Sequence, residues 1–130
     1  MSADAVQAAI EELGQFPGMD GCALVEAETG MPWYHAGSAA GVERIAEAAI
    51  EFWRVQTRLS RHFEGMGNLQ SAAYSFSNRV VALFPCGETP PLVLVCIARK
   101  SDVSWAEWGK RAVSLRQLLK KLTSGAAVDA

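Results

Sequence analysis

A chain of 130 residues falls within the size of one domain, and half of its residues are hydrophobic against a fifth charged, which excludes a disordered composition. Such a chain buries about two-thirds of the surface its unfolded form would expose, enough for a core without covalent staples. The net charge of −2 offers no clustered basic excess for a phosphate backbone, so nucleic acid is not an expected partner.

No apolar run approaches the roughly 20 residues that cross a bilayer. The longest, Pro90 to Ala98, fits a buried strand. The opening Met1-Ser2-Ala3-Asp4 lacks a basic stretch followed by a long apolar one, so the expectation is a cytoplasmic protein with no membrane partner. Cys22, Cys86 and Cys96 are widely spaced without a CxxC pair. An odd count on expected strands reads as reduced, mostly buried thiols.

In chain order, Val6, Ala9, Ile10 and Leu13 recur at helical spacing, with Ser2 or Asp4 able to cap the start and Gly14 the end. Phe16-Pro17-Gly18 breaks that helix. Cys22 to Val25 is an apolar run, Glu28-Thr29-Gly30 a tight turn, and Trp33 to Ala36 the return strand of a hairpin. Pro32 places that return strand at a sheet edge, because proline has no donor for an inner ladder.

The longest helix is expected from Ala39 to Glu64, capped by Ser38. Val42, Ile45, Ala49, Phe52, Gln56, Leu59 and Phe63 form one stripe, and Ala46, Ile50, Trp53 and Thr57 run beside it. Two adjoining stripes make an apolar arc wider than one packed sheet face requires.

Three strand-like runs follow: Leu69 to Phe76 of mixed polarity, as at an edge, then Arg79 to Phe84 and Leu92 to Ala98, apolar at nearly every position. Ser77-Asn78 reads as a tight turn in which Asn tolerates positive φ, and Cys86 to Pro91 closes the second hairpin. Ser104-Trp105-Ala106-Glu107 fits a capping box opening the last helix, whose stripe is Trp105, Trp108, Ala112, Leu115, Leu119 and Leu122. Residues 123–130 are expected to fray, leaving one domain over residues 1–122. Short hairpins imply an antiparallel sheet, and strands apolar on both faces imply helices on both sides. The expected fold is an α/β three-layer α/β/α sandwich with a five-stranded antiparallel sheet, element order α-β-β-α-β-β-β-α.

This order resembles the Roadblock/dynein light-chain family, of profilin-like fold. The resemblance is carried by Phe16 to Gly21 leading into the first strand, the Glu28-Thr29-Gly30 turn, the long second helix, and the strand pair Arg79 to Leu83 and Leu92 to Val95. It implies a homodimer whose third strands join into one sheet with the long helices side by side. It also implies a regulator or adaptor, in bacteria often for small Ras-like GTPases, with no catalysis and no cofactor of its own.

The charges on the long helix offer a second route to the dimer. Glu43, Glu47 and Glu51 lie in its first half, and Arg54, Arg58, Arg61 and His62 in its second. Antiparallel pairing about Phe52-Trp53 would set acid against base at both ends; equally, each half complements its own helix dipole. The double stripe favours pairing, because left alone it would expose a large patch. The dimer interface is accordingly expected at Ala46, Ile50, Trp53, Thr57, Ser71, Ala73 and Ser75, and a client surface at Trp33 and Tyr34.

Catalytic patterns are absent: no phosphate loop, dinucleotide fingerprint, zinc-protease helix or nucleophile elbow occurs. Gly65-Met66-Gly67-Asn68 follows a helix and precedes a strand, the wrong order for backbone amides at a helix start to hold phosphate. His35 and His62 lack the three or four converging ligands of a metal site, so no metal is expected. The alternative reading is a small-ligand sensor of PAS or GAF type. Such a sensor needs a cavity, whereas dense Val, Leu and Ala strands describe a filled core.

Overall fold

A computed structural model describes residues 2–37, 41–88, 90–100 and 104–129. In order they form α1 (Ser2–Gly14), β1 (Met19–Glu26), β2 (Pro32–Gly37), α2 (Val42–Arg58), a 3-10 helix (Ser60–Met66), β3 (Ala72–Ser75), β4 (Arg79–Glu88), β5 (Pro91–Arg99) and α3 (Trp105–Asp129). The strands make one antiparallel sheet in the order β2-β1-β5-β4-β3. The expected α/β fold and element order are present.

The most apolar strands take the centre, as burial on both faces demands. Every residue from Leu92 to Ala98 of β5 is buried, and β5 pairs with β1 through Cys22↔Cys96 and Leu24↔Leu94. The outer strands β2 and β3 alternate half-buried and exposed residues, the signature of strands covered on one face. Pro32 opens edge strand β2, where its missing N–H costs no inner ladder bond. At the other end of β2 the chains approach closely. A Cβ on Gly37, whose φ is 115°, would stand 2.3 Å from the Gly21 Cα. Only glycine meets both demands there.

Alternate residues of the sheet feed two cores. On one face α1 and α3 enclose Ile10, Leu13, Trp108, Ala112 and Leu115 with Cys22, Leu24, Leu94 and Cys96. On the other, α2 alone seats Val42, Ala46, Ala49 and Ile50 on Ala23, Val25, Leu83, Val93 and Val95.

Several boundaries differ from expectation. The proposed cap Ser38 lies outside the described residues; Gly41, in the left-handed region at φ 77°, precedes α2 without a side-chain cap. The expected single helix to Glu64 stops at Arg58, after which the backbone tightens into the 3-10 helix. β3 keeps only the four residues that pair with Val80–Leu83 of β4. The Ser77-Asn78 turn is closed by the Phe76 N–H donating to the Arg79 carbonyl at 2.8 Å. Among the described residues no non-glycine has positive φ, so that turn does not use the tolerance of Asn78. α3 continues to Asp129, through residues expected to fray.

Candidate self-association surface

The long helix α2 buries the stripe expected to face a second chain and exposes much of the one expected to face the sheet. Ala46 is fully buried, Ile50 is 1% exposed, and both sit in the core beneath the helix. Those two members of the expected interface have no surface to offer a second chain. The reason is steric. Small residues at 46 and 49 let the helix axis approach the sheet, and the larger side chains are left outside. Trp53 is half-buried and packs on the same core, while Thr57 is exposed and donates its hydroxyl to the Trp53 carbonyl at 3.0 Å.

Outward instead stand Ile45, Phe52, Val55 and Leu59, between 37% and 43% exposed, with Ala48 exposed among them. Phe63 and Met66 of the 3-10 helix extend the same kind of surface. An amphipathic helix ordinarily shows water its charges; a second apolar stripe of this length is an unpartnered patch.

The stripe lies beside the open edge of the sheet. The Phe52 ring stacks on Tyr74 of β3 with centroids 4.3 Å apart. Among the described residues β3 pairs only with β4, so its other edge presents unpaired backbone donors and acceptors. Ser71, Ala73 and Ser75, also expected in the interface, are exposed along this edge segment. Apolar helix face and strand edge thus form a continuous surface that offers both kinds of contact a second chain could satisfy.

The expected client residues part ways. Trp33 is 43% exposed on β2, its indole N–H donating to Glu26 Oε2 at 3.0 Å. Tyr34 points to the other face and packs against the core under α1. β2 forms the sheet edge opposite β3, so Trp33 lies at the far edge of the sheet from Tyr74.

Chemistry elsewhere is sparse. Burial pushes the Cys86 thiol up to about 12, against a smaller opposing pull from Arg116. Burial likewise raises Cys96, which also shares a hydrogen bond with Cys22. Thiols held neutral in this way are poor nucleophiles. Among the described residues no three His, Cys, Asp or Glu side chains converge as metal ligands. A groove of about 310 Å³ lies between α1 and α3, but its charged groups Glu12 and Arg111 already pair with each other. No described helix is long and apolar enough to cross a membrane.

No family model matches the sequence, and no curated protein does. Solved structures do. A Roadblock/LC7 domain from Streptomyces avermitilis superposes with a TM-score of 0.74 at 12% identity, covering 93% of this chain and 97% of that one. MglB of Myxococcus xanthus gives 0.78 at 14% identity over 95% and 90%. The gliding protein MglB of Thermus thermophilus gives 0.73 at 16% identity over 92% and 92%. The chain has the Roadblock/LC7 fold. At these identities the likeness is one of backbone arrangement.

Proposed function

We propose that this protein is a non-catalytic regulatory or scaffolding subunit of Roadblock type that works as a homodimer. The observation that carries the reading is the outward stripe Ile45, Phe52, Val55 and Leu59 beside the open edge of β3. A two-fold axis at that edge would pair β3 with β3 and lay one α2 against the other. It would cover the stripe and fill the backbone edge in one step. The interface then keeps Ser71, Ala73 and Ser75, keeps Trp53 and Thr57 at its margin, and replaces Ala46 and Ile50 by the outward residues.

The client of such a dimer is, by resemblance to the Roadblock family, a small Ras-like GTPase, and Trp33 on the far edge of the sheet is available to it. The competing ligand-sensor reading lacks support in a core that is filled on both sheet faces.

Light scattering across a range of concentrations tests the pairing. The expected mass is near twice 14.0 kDa, falling to a single chain in Phe52→Asp while the circular dichroism spectrum stays unchanged. A wild-type chain that remains at 14.0 kDa overturns the proposal.

A further inference from the structure

The outward stripe has a spacing of its own. Ile45, Ala48, Phe52, Val55 and Leu59 are separated by three, four, three and four residues, the repeat by which one helix seats side chains between those of another. Written as a heptad, Ile45, Phe52 and Leu59 take position a, and Ala48 and Val55 take position d. The flank towards solvent, position g, is then Arg44, Glu51 and Arg58, all charged and all exposed. The opposite flank, position e, is Ala49 and Gln56, with no charge.

In an antiparallel pair, a residues layer with the partner's d residues, and the g positions of the two helices face each other. Two registers place the axis near Phe52, and they differ by a slide of two helical turns, about 10.5 Å. In the first, Phe52 layers with the partner's Val55 and Ala48 with the partner's Leu59, about a point between Trp53 and Arg54. Glu51 then faces the partner's Arg58, and the symmetry of the pair repeats that contact. In the second, Ile45 layers with the partner's Val55 and Ala48 with the partner's Phe52, about Ile50. That register brings Glu51 against the partner's Glu51, and Arg44 against the partner's Arg58. Apolar packing is available in both registers, so the charges decide.

We propose that Glu51 and Arg58 are the specificity-determining pair of this helix: they set its register against a second copy and select a partner bearing acid and base in the same order. This rests on the homodimer reading above. Within one chain Glu51 also pairs with Arg54, whose guanidinium is anchored to the Ala27 and Glu28 carbonyls. That contact holds the carboxylate in place on the flank and leaves it 64% exposed. Arg58, the last residue of α2, is exposed two turns further along the same flank.

Two single charge reversals test the assignment. In Glu51→Arg and in Arg58→Glu, both cross-helix contacts become repulsive, and self-association at low salt is expected to weaken roughly tenfold or more in each. Mixed in equal amounts, the two variants restore both contacts. The guanidinium introduced at position 51 then faces the carboxylate introduced at position 58, and the untouched Glu51 of one chain faces the untouched Arg58 of the other. Native mass spectrometry with one variant isotopically labelled should therefore find the mixed dimer well above the statistical half. A dimer of wild type that survives either reversal unchanged, or a statistical mixture, overturns the assignment while leaving the homodimer standing. Stronger association in Arg58→Glu overturns it in favour of the second register, where the introduced carboxylate would face the partner's Arg44. A monomeric wild type removes the homodimer and the assignment together.

Discussion

The two faces of the sheet are covered unequally. Two helices close one face, and Trp108, Ile10 and Leu115 beneath them are at most 2% exposed. One helix lies on the other face, and it leaves Phe52, Val55 and Leu59 at least 40% exposed. The central strands are apolar on both sides, so strand composition does not explain the difference. What differs is the helix cover: α1 and α3 share a face and exclude water from it, whereas α2 must cover a five-stranded sheet alone. Both cores are buried and both contribute to stability, but α2 also carries on its outer side an apolar stripe left able to associate.

Truncating Trp108 to Ala should have the largest effect. Its ring is fully buried, 4.5 Å from Phe84 and 5.7 Å from Trp105 between centroids. Its indole N–H has no hydrogen-bond partner among the described residues, so the contribution is packing. A loss of about 3–5 kcal/mol is expected in urea unfolding. Leu59→Ala on the open face, measured at dilutions where the chain is single, should change stability by no more than about 0.5 kcal/mol. Similar losses at the two sites would mean that the outer stripe of α2 also holds the single chain together.

The closed face was legible in the sequence and the open face only in part. The Cys22–Val25 run of β1 and nearly every position of β5 are apolar, which only a central strand under two layers tolerates, and Pro32 marked an edge. The stripe of α3 was readable because its opposite side is charged. α2 lacks that contrast. Both of its stripes are apolar, and hydrophobicity does not say which one meets the sheet. Residue size does: Ala46 and Ala49 permit close approach, so Ile50 goes in and Phe52 stays out. The end of α2 was hidden for a similar reason, since Phe63 continues the apolar period past Leu59 although the backbone has changed to a 3-10 path. Which part of the helix would meet a second copy depends on this packing, which pattern alone does not contain.

The thiols under the closed face sharpen the comparison at high pH. Burial raises Cys86 from 9.0 to about 12, so the fold favours the neutral thiol. Its contribution to stability is complete below pH 9 and is lost as pH climbs towards about 12. Between about pH 8 and 11 the urea midpoint of the wild type should therefore fall more steeply than that of Cys86→Ala. Parallel curves would show that the site admits water.

The smallest effect is expected at the pair that ties β2 to the start of α2. His35 Nε2 lies 2.8 Å from Glu43 Oε1, with both side chains more than half exposed. Exposed pairs contribute between nothing and about 1 kcal/mol, because solvent screens them and holding two side chains costs entropy. Glu43 also sits in the first turn of α2, where the helix dipole favours it without any partner. His35→Ala should therefore lower stability by less than about 1 kcal/mol and leave self-association unchanged. A loss above about 2 kcal/mol would mean that α2 is held to the sheet by a latch at its start. The burial of Val42, Ala46, Ala49 and Ile50 and the grip of Arg54 on the β1–β2 turn argue otherwise. With α2 anchored along its inner stripe, its outer stripe is free to meet a second chain without loosening the first.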